Sequence, residues 1–199
     1  MKKIVRDFIL PIIVLVFSII CLVIRKVSFD ELSLLSFFQL IGCSLLCFVL
    51  PILSIFIKRE IPFFLNYLVC THIIISMCFG NALKFYSLIP WWDLLAHGLF
   101  GTICTCGLLV LFHNDKVYMM LLYFLSTVGL GGLWEVFEYS ADVLSGSDTQ
   151  KVQESLDKGK LPQADTIEDI IITIIGSLFF IAIYYLIKYI VSQRKKKKI

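Results

Sequence analysis

Six acidic or histidine side chains recur at helical spacing in the otherwise apolar second half of the chain. They are Asp93, His97, Glu135, Glu138, Asp165 and Asp169. The members of each successive pair are three or four residues apart, so each pair shares one face of an α-helix. Carboxylates with an imidazole are ligands that divalent metal ions prefer. The residue types therefore indicate metal binding or proton handling.

Each of the three polar stripes leads to a glycine one or two turns deeper in the predicted membrane span. These glycines are Gly101, Gly131 and Gly176. Small residues let transmembrane helices approach closely. We therefore expect the three stripes to face one another.

Composition places these stripes in a membrane protein. Of the 199 residues, 59% are hydrophobic and 17% are charged, and the mean hydropathy is +0.90. Soluble domains are about 45–50% apolar and about 25% charged. The predicted fold class is all-α, a polytopic transmembrane bundle that leaves no soluble domain of useful size.

Six apolar stretches are long enough to span a bilayer. They lie at approximately 8–24, 32–57, 61–83, 94–112, 117–139 and 167–191. We interpret the first as a retained helix and not as a cleaved signal, because no small-residue cleavage site follows it. Pro51 predicts a kink in the second. The chain is thus expected to be one membrane domain, residues 1–199, with a polar loop at 140–165.

The basic residues predict the orientation of these spans. With both termini inside, twelve lysines and arginines lie on the inner side and six on the outer side, as the positive-inside rule requires. Loop 140–165 and all six stripe residues then lie at the outer face. The expected location is the bacterial cytoplasmic membrane, and the partners are its lipids. The basic tail, residues 193–198, is expected to bind anionic lipid and not nucleic acid.

Five carboxylates at one depth in a membrane would repel one another and resist removal from water. Either several are protonated, or they face water, or a cation neutralises them. A divalent ion such as Zn²⁺, Mn²⁺, Mg²⁺, Ca²⁺ or iron would suit this ligand set. The predicted metal ligands are Asp93, His97, Glu135, Glu138 and Asp169. Asp165 and Glu138 are the predicted catalytic residues.

The order and spacing of these motifs resemble a family of bacterial integral membrane proteins, the uncharacterised YjdF-like family. The resemblance covers roughly the second half of the chain. It is carried by Asp93-x-x-x-His97 with Gly101, Trp134-Glu135-x-x-Glu138 with Asp142, and Gln163-x-Asp165-Thr166-x-x-Asp169 with Gly176. Where the family pattern often has another acidic residue, this chain has Thr173. The resemblance implies a polytopic fold and a shared polar site, and it implies no particular reaction.

Three functions fit these residues. The first is a metal-dependent hydrolase or transferase that acts on a lipid or lipid-linked substrate, with the loop 140–165 as a lid. The second is a transporter coupled to a cation or to protons, because intramembrane carboxylates also serve as ion pathways. The nearly apolar inner halves of the last three spans disfavour it. The third is an accessory membrane protein with a structural metal site or a docking surface.

Overall fold

The computed structural model describes residues 2–29, 34–58 and 60–196, and the regular secondary structure in these ranges is helical. This confirms the predicted all-α fold. The helices are α1 (Lys2–Phe29), α2 (Leu34–Leu46), α3 (Val49–Phe56), α4 (Phe63–Ile73) continued by a π-helix (Ile74–Ala82), α5 (Phe85–Leu88), α6 (Trp92–Phe112), α7 (Val117–Ser145), α8 (Val152–Asp157) and α9 (Ala164–Lys196).

Six helical segments in the described part of the chain are long and apolar enough to cross a membrane. They are Arg6–Phe29, Leu34–Phe56, Phe63–Ala82, Trp92–Phe112, Val117–Ser145 and Ala164–Lys196. The predicted number of about six spans is therefore confirmed, and residues 32 and 33 of the second predicted span lie outside the described residues. Large apolar side chains such as Val23, Leu133 and Phe179 are more than half exposed. A surface of this kind suits a lipid environment.

The second span is broken close to Pro51, as the sequence predicted. Helix α2 ends at Leu46 and α3 begins at Val49. Proline has no amide hydrogen, so it cannot donate to the carbonyl of Cys47, four residues earlier. The amides of Cys47 and Phe48 instead bond to carbonyls three residues back, which tightens the chain into a turn.

The chain divides into two compact units. The first contains Met1–Ala96 and Val143–Ser147, and the second contains His97–Asp142 and Asp148–Ile199. The sequence predicted one membrane domain over residues 1–199, and that assignment stays a prediction. The first boundary falls within helix α6, which runs unbroken through it.

Hydrogen bonds between side chains join the helices of the first unit. The hydroxyl of Ser18 on α1 lies 2.6 Å from that of Ser44 on α2 and 3.3 Å from the thiol of Cys78 in the π-helix. Arg25 donates to the backbone and side-chain oxygens of Asn81 at 2.6 and 2.8 Å. These bonds satisfy polar groups that would otherwise be buried without partners.

In the second unit, a hydroxyl cluster holds α6, α7 and α9 together. The hydroxyl oxygen of Thr105 lies 3.0 Å from that of Thr127 and 2.6 Å from that of Ser177. All three residues are fully buried. Further along α6 the packing becomes apolar, around a cluster of Leu109, Met120 and Tyr123. The hydroxyl cluster therefore separates the start of α6 from this apolar packing.

The polar connection after α7 is shorter and more ordered than the predicted loop 140–165. Helix α7 continues to Ser145, and Gly146 then takes a left-handed conformation with φ +68°. Glycine adopts this conformation without a steric penalty and commonly ends helices. The short helix α8 follows, and α9 begins at Ala164. The predicted orientation, with both termini inside, stays a prediction.

Candidate metal centre

Helix α6 places Asp93 and His97 one turn apart on one face. Its first residue is Trp92, whose indole nitrogen donates to the carbonyl oxygen of Ile75 at 3.1 Å. Asp93 lies in the first turn, where a carboxylate is favoured by the helix dipole. His97 follows in the second turn, with 11% of its side chain exposed. The predicted Asp-x-x-x-His arrangement is thus present as a helical stripe.

Glycines let α6 and α9 approach until their backbones touch. A methyl group added at Gly101 would lie 2.2 Å from the carbonyl oxygen of Thr173, and one added at Gly176 would lie 2.1 Å from that of Gly98. Thr102 also donates from α6 to the carbonyl oxygen of Gly176 at 3.0 Å. This is the close approach that the small residues predicted.

The approach of α6 and α9 brings His97 and Asp169 together. Nε2 of His97 lies 3.5 Å from Oδ2 of Asp169, whose side chain is 2% exposed. Asp93, His97 and Asp169 can each offer one ligand atom, and these atoms lie within 4.8 Å of one another. Two of the three ligating residues come from one continuous helix, so their relative position is fixed by helical geometry.

The three residues fit a divalent metal ion in number and in chemistry. Catalytic zinc sites use three protein ligands, including mixtures of histidine and carboxylate, and keep one position for water or substrate. Ligand atoms about 2.1 Å from one tetrahedral ion are roughly 3.4 Å apart. Nε2 of His97 and Oδ2 of Asp169, at 3.5 Å, already have this separation. For ligand atoms within 4.8 Å of one another, a shift of at most about 1.4 Å would give the same spacing throughout the group.

Glu135 approaches the same region from helix α7. Gly131, one turn before it, packs against the side chain of Thr173, since an added methyl group would lie 3.2 Å from Cγ2 of Thr173. Helix α7 runs antiparallel to α9, so the residue one turn after Gly131 lies level with the residue one turn before Thr173. These residues are Glu135 and Asp169. Both residues are buried. Glu135 nevertheless lies outside the three-residue group.

Glu138 lies one turn nearer to the end of α7 and bonds within its own helix. The indole nitrogen of Trp134 donates to its Oε1 at 2.9 Å. Glu138 was predicted both as a ligand and as a catalytic residue, and it too lies outside the three-residue group.

Asp165 opens helix α9 and lies beside a cation that the sequence did not associate with it. The ammonium nitrogen of Lys151 is 3.2 Å from Oδ1 of Asp165. Asp165 precedes Asp169 by one turn on the same face, so this pair forms a second layer above the three-residue group. Lys151 belongs to an irregular segment without hydrophobic periodicity and lies fourteen residues from Asp165 in sequence. The sequence pattern therefore did not predict this ion pair.

The carboxylate of Asp142 anchors the connection that carries Lys151. Oδ1 of Asp142 accepts hydrogen bonds from the amide and the hydroxyl of Thr149, both at 2.7 Å, and Oδ2 accepts from the amide of Gln150 at 3.0 Å. The side chain of Gln150 donates to the backbone oxygen of Glu135 and to the hydroxyl of Thr166. The segment is therefore bonded to both α7 and α9.

Thr173 continues the stripe of Asp165 and Asp169 one turn deeper. Its side chain is 1% exposed, and its hydroxyl has no hydrogen-bond partner among the described residues. A buried hydroxyl normally has a partner in the protein or a bound water. The polar site thus reaches one turn below Asp169.

The fold and this site together define a multi-pass α-helical membrane protein with a cluster of two aspartates and a histidine. The chain belongs to the family described as "Predicted membrane protein (DUF2238)", whose model matches residues 8–189. The predicted resemblance to a family of integral membrane proteins is thereby confirmed, and it extends over nearly the whole chain. No curated protein and no solved structure matches the chain.

Proposed function

We propose that this protein is a metal-dependent membrane enzyme, a hydrolase or transferase that acts on a lipid or lipid-linked substrate. The observation that carries the proposal is the enclosed group of Asp93, His97 and Asp169 at the start of α6 and α9. Such a group at the end of membrane-spanning helices would meet the headgroup region of the bilayer. A substrate with a lipid tail and a polar head would reach it from the membrane.

Burial supports a bound cation at this group. Asp169 is almost fully buried beside His97, and Glu135 is buried on the facing helix. Withdrawing several carboxylates from water is unfavourable unless a cation or a proton neutralises them. A divalent ion would neutralise two of these charges and use the oxygen and nitrogen atoms as ligands. Zn²⁺, Mn²⁺, Mg²⁺ and iron all suit this donor set.

The residues around the group supply roles for catalysis. A bound divalent ion lowers the pKa of its water and polarises a substrate oxygen. Asp165, one turn before Asp169, is the proposed base, and it would accept a proton from that water once Lys151 turns away from it. Glu135 and Glu138 are the proposed additional ligands, and each would reach the ion by a change of side-chain rotamer.

A transport function is the second candidate and is less well supported. Below Thr173, the hydroxyl cluster of Thr105, Thr127 and Ser177 offers polar atoms, but these already bond to one another. The apolar cluster with Leu109 and Tyr123 lies beyond them. A permeation path needs polar groups or water across the whole membrane.

An accessory protein with a structural metal would show the same metal content without turnover.

Lipid partners remain part of the proposal. The last turn of α9 carries Arg194, Lys195 and Lys196 directly after an apolar span, which favours contact with anionic headgroups. Lys197 and Lys198 of the predicted basic tail lie outside the described residues. We keep the bacterial cytoplasmic membrane as the proposed location.

Metal content tests the proposal most directly. The detergent-purified protein and its His97→Ala and Asp169→Ala variants are analysed by inductively coupled plasma mass spectrometry. We expect one divalent ion per chain in the wild type and its loss in both variants. Glu168→Ala is the matched control, because Glu168 neighbours Asp169 but pairs with Lys160 at the surface. Folded wild-type protein without metal, even after exposure to each ion, would refute the metal centre.

Turnover separates the enzyme from the accessory protein. The metal-loaded protein is incubated with extracted membrane lipids, and the products are compared by mass spectrometry with those of the His97→Ala variant. Metal-dependent conversion of one lipid class supports the enzyme. A fully loaded protein that converts no lipid class would favour the accessory role.

A further inference from the structure

The ion pair of Lys151 with Asp165 is less exposed than those of Lys158, Lys160 and Lys188. The side chains of Lys151 and Asp165 are 20% and 16% exposed. Three other lysines in ion pairs, Lys158, Lys160 and Lys188, leave 47–58% of the side chain exposed. Exposed pairs of that kind contribute little to stability. The enclosed position of Lys151 sets it apart.

The backbone of Lys151 is held in a conformation that lysine rarely adopts. Its φ and ψ are 48° and 37°, in the left-handed region. Such a conformation persists where neighbouring contacts determine it, and it is frequent at functional sites. Here Thr149 and Gln150, immediately before Lys151, are fixed by the carboxylate of Asp142. The ammonium group is thus directed towards α9 by a segment that is itself bonded in place.

The ammonium group contacts α9 one turn before Asp169, a residue of the proposed metal centre. Asp165 precedes Asp169 by four residues on one face of α9, which is about 6 Å along the helix axis. Counted from the start of α9, the polar groups are first Lys151 with Asp165 and then Asp169 with His97. The hydroxyl of Thr173 follows, and it has no hydrogen-bond partner among the described residues. A cation above a metal ion, beside the start of a helix, is an arrangement that holds a phosphate group.

We infer that the site recognises a phosphate group carried on an amphiphile, and that Lys151 is the residue that binds it. This inference rests on the proposed function, because the metal would hold the other side of the phosphate. The ammonium group exchanges its bond to Asp165 for one to a phosphate oxygen. The exchange leaves Asp165 in position for the base role proposed above. The buried hydroxyl of Thr173 is a further polar atom of the same stripe, and it has no hydrogen-bond partner among the described residues.

Lys151 was absent from the predicted site because the sequence showed no cation in the three stripes. The folded connection brings Lys151 to the start of α9. The class of substrate therefore narrows from lipids in general to phosphate monoesters and diesters with an apolar tail.

Binding of short-chain phosphatidic acid to the detergent-purified protein tests this inference. Isothermal titration calorimetry compares this probe with diacylglycerol of equal chain length and with inorganic phosphate. We expect phosphatidic acid to bind at least about tenfold more tightly than diacylglycerol, as the gain of one charge-assisted hydrogen bond predicts. Equal binding of both lipids would overturn the inference. Inorganic phosphate that binds as tightly as phosphatidic acid would identify free phosphate, and not a lipid, as the ligand.

Variants of Lys151 assign the interaction. Lys151→Met should weaken phosphatidic acid binding about tenfold, and Lys151→Arg should largely restore it. Lys160→Met is the matched control, since Lys160 lies in the same connection but pairs with Glu168 at the surface. Lys151→Gln replaces Lys151→Met if that variant does not fold. Unchanged affinity in a folded variant without the charge would overturn the assignment.

Metal analysis of the same samples separates this inference from the proposed function. A stoichiometric metal in protein that does not distinguish phosphatidic acid from diacylglycerol refutes the phosphate class and leaves the metal centre standing. If protein that takes up no metal binds phosphatidic acid through Lys151, phosphate recognition is supported and the proposed metal-dependent enzyme is refuted.

Discussion

His97 and Asp169 lie 3.5 Å apart on different helices, α6 and α9, and the contact depends on glycines one or two turns away. Gly101 and Gly176 remove the side chains that would otherwise separate the two backbones. The candidate ligand residues and the small residues of this chain are therefore linked. The former carry the atoms that could hold a metal ion, and the latter set the distance between the two helices.

Gly176→Ala is predicted to disturb both the fold and the site. The added methyl group would lie 2.1 Å from the carbonyl oxygen of Gly98, so the two helices must separate. Overpacking of this kind typically costs about 1–3 kcal/mol. We expect a lower midpoint of thermal unfolding in detergent and a reduced metal content. Gly132→Ala is the control, because nothing lies within 4 Å of its added methyl group. Equal behaviour of the two variants would contradict the prediction.

The sequence predicted the stripes well because helical periodicity fixes which residues share a face. Asp93, His97 and Gly101 continue to Thr105 at the same spacing, and all four belong to the packed face of α6. On α7 the same rule selects Thr127, four residues before Gly131, as the inner polar residue. The neighbouring Ser126 is exposed and is not part of the packed face.

Lys151 and the partners of Asp142 could not be predicted in this way. Their contacts depend on an irregular segment that turns at Gly146 and Gly159 and has no repeating pattern. The length of α7 was also underestimated, since its last residues are polar while the predicted span followed the apolar stretch alone. Hydropathy predicts which part of a helix lies in lipid. The end of the helix depends instead on its capping residues, which can lie beyond the apolar stretch.

Disruption of the hydroxyl cluster is predicted to loosen the packing of α6, α7 and α9. Thr105→Val removes the hydroxyl that lies 3.0 Å from Thr127 and 2.6 Å from Ser177. A double-mutant cycle of Thr105→Val with Ser177→Ala should give a coupling energy of about 0.6 kcal/mol, which is typical of such bonds in membrane proteins. Ser126→Ala is the control, because Ser126 is exposed. A coupling energy of zero would show that the two hydroxyls act independently.

Asp115 is predicted to make stability depend on pH in the acidic range. The hydrogen bond from Lys188, followed by that from Tyr184, lowers the pKa of this carboxyl from its ordinary value. A carboxyl with a lowered pKa in the folded state stabilises the protein above its unfolded pKa of about 4, and this contribution disappears as pH falls through the folded pKa. Thermal unfolding should therefore separate wild type from Asp115→Asn at neutral pH and bring them together in acid. A difference that grows in acid would contradict this sign.

Asp142→Ala is predicted to release the connection that carries Lys151. The variant removes the acceptor of the Thr149 and Gln150 amides, so these amides should exchange their hydrogens faster in solvent. Asp148→Ala is the matched control, since its carboxylate instead accepts from the amide of Gln153. Hydrogen–deuterium exchange with mass spectrometry would resolve the two effects. If Asp142→Ala also weakens phosphatidic acid binding while Asp148→Ala does not, the position of Lys151 depends on its anchor and not merely on its charge. Unchanged exchange at Thr149 and Gln150 would show that Asp142 does not hold the segment.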